Sequence, residues 1–265
     1  MLILVTGGTG ALGTVTVPRL VEDGHTVRVL TRRPRTERDV RGDLETGEGL
    51  EAAVNGVDAI VHLASAPHKW NTPRVDVQGT RRLLGEAAQA GVGHLVYVSI
   101  VGVGTVPSRY FRFKRQAEEL VVEGQVPWSI LRATPFPEFT EGMLRTFSRL
   151  GPVVVPARTP WQVVDAGEVA DGLVSMVGHG PSYAVDELGG PEVRPFDEYA
   201  RAWLRARGSR RPIMPVWLMG RTGRTQRQGH LTTLDGANGR KSWQDYLDEC
   251  YGTSGAKGVS EKNPS

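Results

Sequence analysis

The chain of 265 residues has a single cysteine, Cys250, so no disulfide can form within it, and nothing in its composition calls for an oxidising compartment. No apolar run approaches the roughly 20 residues that cross a bilayer, which excludes a membrane-spanning class. The N-terminus lacks a basic leader and a cleavage site, so the sequence predicts a cytoplasmic protein without a signal peptide. His25, His62, His68, His94, His179 and His230 are scattered without metal-ligand spacing, and no structural metal is expected. A Gly-x-Ser-x-Gly nucleophile elbow is absent as well. Aromatics make up only 7% and no nucleic-acid motif is present, so no nucleic-acid partner is expected. The formal charge of +3 is too small to name a partner.

What is present is a rhythm. Short Val- and Ile-rich runs at 2–6, 26–30, 59–63, 95–98 and 128–131 read as strands buried on both faces. Helix-length segments lie between them at 11–23, 46–54, 73–90 and 112–123, with Gly24, Gly91 and Gly124 after three of them. Strands alternating with helices imply right-handed crossovers, a parallel sheet, and ligands at the carboxyl ends of the strands. After about residue 150 the rhythm loosens. Short runs at 153–155 and 161–164, helices at 166–177, 196–207 and 241–251, and an unassigned stretch at 208–240 follow. The expected domains are a core at 1–155, a C-terminal portion at 156–251 interleaved with it, and a disordered tail at 252–265.

Three signals carry chemistry. The first is Gly7-Gly8-Thr9-Gly10-Ala11-Leu12-Gly13, which follows a strand and opens a helix. Glycines there permit a tight turn and a close approach of backbone to pyrophosphate, and the helix N-terminus offers N–H groups to the phosphates. The second lies at the end of the second strand, where an NAD-binding chain carries an acid for the ribose 2′-hydroxyl. This chain has Arg32 and Arg33 instead. Guanidinium suits a 2′-phosphate, so NADP(H) is the expected cofactor. The third is Tyr110 with Lys114 one turn on, following a strand that ends near Ser99. A lysine beside a tyrosine favours phenolate, which equips the tyrosine for acid/base work.

These pieces, together with TRRP at 31–34, RGDL at 41–44, VHLAS at 61–65, DVQGTRRLL at 76–84, YVSIVGV at 97–103 and WSILRATPF at 128–136, resemble the short-chain dehydrogenase/reductase superfamily, in its NmrA-like NAD(P)H-binding branch. The resemblance implies a Rossmann-type doubly wound parallel sheet with a small C-terminal substrate-binding portion. It implies that Asp43 and Leu44 flank the adenine and that Ala64, Ser65 and Ala66 line the cofactor. Thr134, Pro135 and Phe136 would lie against the nicotinamide. Ser99 would orient a substrate carbonyl, Tyr110 would move the proton, and Lys114 would bond the nicotinamide ribose. In that branch the tyrosine is often missing and some members sense the cofactor, whereas here both Tyr110 and Lys114 are present.

The expected activity is hydride transfer to or from a small carbonyl-type substrate, in a monomer or homodimer. Two other readings stay open: a non-catalytic NADP(H)-sensing regulator, and an epimerase or dehydratase that uses its nicotinamide transiently. Trp70, Phe136 and Phe139 could wall an apolar pocket, and Trp203, Trp217, Leu218 and Met219 suggest a cap. Between Tyr199 and Leu234 stand eight arginines (Arg201, Arg205, Arg207, Arg210, Arg211, Arg221, Arg224 and Arg227) and no acid, which reads as a solvated surface.

Overall fold

A computed structural model describes residues 1–67, 72–149, 151–217, 219–236 and 239–252. His68, Trp70, Leu218 and the tail from residue 253 lie outside the described residues. The chain divides into two compact units, Met1–Ala133 with Ala166–Leu188, and Thr134–Asp165 with Gly189–Ser265.

The first unit begins with β1 (Leu2–Thr6), α1 (Ala11–Glu22), β2 (Thr26–Thr31), β3 (Asp39–Arg41), α2 (Leu50–Val54) and β4 (Ala59–His62). A π-helical stretch, Pro73–Gly79, then runs into α3 (Thr80–Gln89), followed by β5 (His94–Ile100), α4 (Arg109–Val122) and β6 (Trp128–Ala133). After the first segment of the second unit, with α5 (Pro137–Phe147), β7 (Val153–Pro156) and β8 (Pro160–Trp161), the chain returns with α6 (Ala166–His179) and β9 (Val185–Leu188). All seven strands of the first unit form one parallel sheet in the order β3-β2-β1-β4-β5-β6-β9.

This is the expected Rossmann-type α/β fold, and its central strands explain it. Ile3, Leu4, Val5, Ile60, Val61, Leu95 and Val96 are 0% exposed, so both sheet faces must be covered. Helices α1 and α6 pack together on one face. On the other, α2, α3 and α4 enclose a core of Leu4, Leu50, Ile60, Leu83, Leu95, Tyr97, Ala117 and Val121. The chain leaves β1 outward to β2 and β3, then crosses back to β4 on the opposite side. The strand order therefore reverses between β1 and β4, where sheets of this kind open a ligand crevice.

Several elements depart from expectation. The helix read at 46–54 shortens to Leu50–Val54, because the chain before it is tied into a turn by Asp43 N–H to Glu48 O (2.9 Å) and Gly47 N–H to Asp43 O (2.8 Å). Edge strands β3 and β9 and helix α5 carry no strand or helix reading in the sequence. The strand expected at 161–164 is only the pair Pro160–Trp161.

The second unit continues with β10 (Arg194–Pro195), α7 (Phe196–Ala206), β11 (Ile213–Val216), α8 (Gly220–Arg227) and α9 (Trp243–Tyr251). Elements β11 and α8 lie in the stretch that resisted assignment. Glu141 on α5 organises this unit. It is 7% exposed and accepts from Trp203 Nε1 on α7 (3.0 Å), Tyr246 Oη on α9 (2.7 Å) and Tyr251 Oη. Burial pushes its carboxyl up, but the hydrogen bonds from Tyr251, Trp203 and Tyr246 outweigh it and hold Glu141 below the usual carboxylate range.

Candidate functional site

The glycine turn leaves β1 and closes on the end of β4. Gly7 has φ +71°, and a Cβ there would lie 2.7 Å from the Ala64 nitrogen. A Cβ on Gly13 would lie 2.3 Å from Gly7 O and 2.5 Å from Gly8 Cα. Only glycine fits either position. Thr9, Gly10 and Ala11 are exposed at the tip, while Leu12 packs inward at 8% exposure. Helix α1 starts at Ala11 with no side-chain cap, so its first N–H groups face outward over the turn. This exposed, uncapped cradle at the strand-order reversal fits a dinucleotide pyrophosphate.

A buried hydrogen-bond chain fixes the two strand ends beneath it. Thr80 Oγ1 donates to Asp76 O (2.7 Å), so its oxygen must accept from His62 Nε2–H at 2.9 Å. The other ring nitrogen, Nδ1, is then an acceptor and receives the Thr6 hydroxyl proton (2.6 Å). Thr6 Oγ1 in turn accepts the Ala64 N–H (3.3 Å). His62 is thus a neutral structural group with both nitrogens engaged. Burial, and then the nearby Lys114 charge, push its pKa down from 6.5 to about 3. The unfolded chain takes up the extra proton first. Stability is therefore full above about pH 6.5 and falls as the pH drops towards 3, by up to about 4–5 kcal/mol. Urea unfolding should show about 2 kcal/mol lost between pH 7 and pH 5 that His62→Gln does not lose. Equal losses in the two proteins would refute a neutral buried His62.

Next to β1, strand β2 ends at Thr31, and Arg32 and Arg33 follow it, exposed. Among the described residues neither guanidinium makes a hydrogen bond or ion pair. Farther along the chain, Asp39 accepts the Arg35 and Thr36 N–H groups at 2.7 and 2.9 Å. Asp43 follows β3, and its carboxylate accepts the Glu45 N–H at 2.8 Å. Leu44 is 6% exposed and belongs to the core.

The residues after β4 are exposed at Ser65 and buried at Ala66. Both are held by Asp76, from the π-helical stretch, which is itself 1% exposed. Ser65 Oγ donates to Asp76 Oδ1 (2.6 Å) and the Ala66 N–H to Asp76 Oδ2 (2.9 Å). Tyr110, in the first turn of α4, lies 2.8 Å from Ser65 Oγ through its hydroxyl. Burial, reinforced by the Asp76 charge, pushes the phenol up to about 12, although a hydrogen bond donated by Ser65 would lower it, and opposite to the lowering expected from a neighbouring lysine. Lys114 is 4% exposed. Its Nζ donates to Val98 O (2.6 Å) and sits 4.1 Å from the centre of the Tyr97 ring. Burial brings its ammonium down to about 8, against the pull of Asp76 and Glu118.

Ser99, expected beside Tyr110, is 1% exposed, and its hydroxyl has no partner among the described residues. The structure thus gives Tyr110 the hydroxyl of Ser65, not that of Ser99. Thr134, Pro135 and Phe136 begin the second unit; Thr134 is 2% exposed with an unpartnered hydroxyl. Sequence reading quoted Asp76 within its motif but gave it no role. In the second unit, Arg201, Arg205, Arg210 and Arg211 line an open groove of about 380 Å³. No cluster of metal-ligating side chains, and no helix long and apolar enough to cross a membrane, occurs among the described residues.

Comparison with known proteins points the same way. The family described as NAD(P)H-binding matches residues 7–179. A (4-alkanoyl-5-oxo-2,5-dihydrofuran-3-yl)methyl phosphate reductase of Streptomyces griseus is 34% identical over 206 residues, 72% of this chain and 68% of that protein. A 2-alkyl-3-oxoalkanoate reductase of Stenotrophomonas maltophilia is 36% identical over 113 residues, 39% of this chain but only 34% of that protein. A short-chain dehydrogenase/reductase superfamily protein from Agrobacterium tumefaciens, solved with bound NAD, superposes with a TM-score of 0.72 at 22% identity, over 95% of this chain and 96% of that one.

Proposed function

The chain belongs to the NAD(P)H-binding family, and we propose that within it this protein is an NADP(H)-dependent reductase of a small carbonyl-type substrate. The observation that carries the reading is the glycine cradle with two exposed arginines at the end of the adjoining strand. The N–H groups of Ala11, Leu12 and Gly13 would receive the pyrophosphate, with Gly7, Thr9 and Gly10, whose N–H is held by Gly7 O at 2.9 Å, shaping the turn. Arg32 and Arg33 would clasp a 2′-phosphate. Asp43 and Leu44 are assigned to the adenine, Ala64, Ser65 and Ala66 to the cofactor side of β4, and Lys114 to the nicotinamide ribose. Thr134, Pro135 and Phe136 are assigned to the nicotinamide by resemblance alone. The bound cofactor supplies a hydride.

The protein's own part is the proton. Tyr110 would give its hydroxyl proton to the carbonyl oxygen as that oxygen becomes an alcohol. The pKa of about 12 leaves the phenol protonated throughout the physiological range, which suits an acid. Ser99 keeps its assignment as carbonyl-orienting group as a proposal, and its burial requires that it become accessible when ligands bind. Substrate selection falls to the C-terminal portion. The names of the two relatives, both reductases of oxo compounds, favour ketones and related carbonyl compounds as substrates.

A screen of ketones and quinones with NADPH and with NADH tests this. Oxidation of NADPH by at least one carbonyl compound is the expected result. Tight NADPH binding with no turnover on any of them would replace it with a cofactor sensor.

A further inference from the structure

The hydrogen bonds around Ser65 run in one direction. Ser65 has one hydroxyl proton, and it donates that proton's hydrogen bond to Asp76 Oδ1 at 2.6 Å. At 2.8 Å from Tyr110, Ser65 can then offer only a lone pair, so Tyr110 must be the donor. A phenolate, which only accepts, would face the same lone pair and be repelled. Were Ser65 free to turn its proton to Tyr110 it would stabilise phenolate; with that proton held by a carboxylate it stabilises the neutral phenol. Asp76 is itself anchored by the Ala66 N–H at 2.9 Å, in a stretch of π-helix that departs from the regular ladder just where the carboxylate is needed.

We propose that Asp76, acting through Ser65, is a positioning residue that holds Tyr110 as a hydrogen-bond donor. It thereby keeps the site loaded with the proton that a carbonyl oxygen takes, and raises the pH at which the site can take one from an alcohol. This rests on the reading of Tyr110 as the proton donor. In the favoured direction the Tyr110 O–H bond breaks as the alcohol O–H bond forms, and two electrons arrive with the hydride of the reduced nicotinamide. The phenolate left behind is reprotonated from solvent. The reverse reaction needs phenolate at the start, the form that Asp76 and Ser65 oppose. Among the described residues, the titratable groups of this cluster besides Asp76 and Tyr110 are Tyr97 on β5, neutral His62 on β4, and Lys114 and Glu118 on α4. Burial, and then the charges of Asp76, Tyr110 and Glu118, raise Tyr97. Lys114 is turned to the Val98 carbonyl and the Tyr97 ring.

The test follows the ring Cζ signals of 13C-labelled tyrosine in the full chain against pH, with Tyr110 identified by the signal that Tyr110→Phe removes. In Asp76→Asn the amide can donate to Ser65, which reverses the chain, and the midpoint of Tyr110 should fall by at least about one pH unit. Ser65→Ala, at an exposed position, carries the test should the Asp76 variant not fold, and there the sign decides. A fall means that Ser65 was accepting from Tyr110. An unchanged or raised midpoint in either folded variant overturns the proposal. With a substrate in hand, the pH midpoint of kcat for alcohol oxidation should fall in Asp76→Asn by at least about one unit, in step with the Tyr110 midpoint. Undiminished turnover in Tyr110→Phe would instead remove the reading on which the proposal rests, leaving the titration result untouched.

Discussion

Tyr110→Phe should lower turnover by about 10²–10⁴-fold, the usual worth of a positioned general acid, while NADPH affinity stays within about a factor of two. The substitution removes only the hydroxyl. The ring keeps its edge-on packing against Phe111, 6.3 Å between centroids, and Ser65 keeps its bond to Asp76. Because Ser65 is exposed, water can replace the lost phenol, so the fold should be little disturbed. A fall in kcat with an unchanged cofactor dissociation constant separates a proton donor from a cofactor-contacting residue. Turnover at the wild-type level would transfer the acid role elsewhere.

Gly13→Val should abolish cofactor binding, weakening it by more than about 100-fold, and cost about 2–4 kcal/mol of stability. The new Cβ meets backbone at Gly7 O and Gly8 Cα, 2.3 and 2.5 Å away, and no side chain can swing clear to make room. The turn has to open, which lifts the N–H groups of α1 away from where the pyrophosphate sits. Calorimetric titration with NADPH, alongside thermal unfolding, checks both effects. Retained affinity in a destabilised protein would mean that the turn serves packing only.

The fold was legible where burial on both faces forces a continuous apolar run. Strand β1 occupies 2–6 as read, and β2, β4, β5 and β6 differ from the reading only at their ends. The match to the NAD(P)H-binding family bears out the resemblance seen in the ordered motifs. Edge strands escaped because half of their surface meets solvent. Val185-Asp186-Glu187-Leu188 carries two acids, and Asp39-Val40-Arg41 only one apolar residue. The place of β9 is set by a partner far along the chain, β6, with Ile130 opposite Val185, and that of β3 by pairing with β2.

In the site, sequence spacing brought Tyr110 and Lys114 onto one turn of α4 but could not tell which serine the phenol would meet. Ser65 and Ser99 both follow or end central strands. Their difference is that Ser65 lies on the exposed loop held by Asp76, while Ser99 points into the interior. Nor does spacing carry the sign of a pKa shift. Lysine alone would lower Tyr110, but burial and a carboxylate eleven positions from Ser65 push it up.

The most direct test of the account titrates NADPH and NADH against the wild-type chain and the Arg32→Ala/Arg33→Ala variant. Charge-assisted hydrogen bonds to a 2′-phosphate are worth about 1.5–3 kcal/mol, or roughly 10–100-fold in affinity. The account predicts that the wild type prefers NADPH by at least about tenfold and that the variant loses this preference with NADH affinity unchanged. Equal affinities in the wild type, or a preference that survives the double substitution, would contradict it.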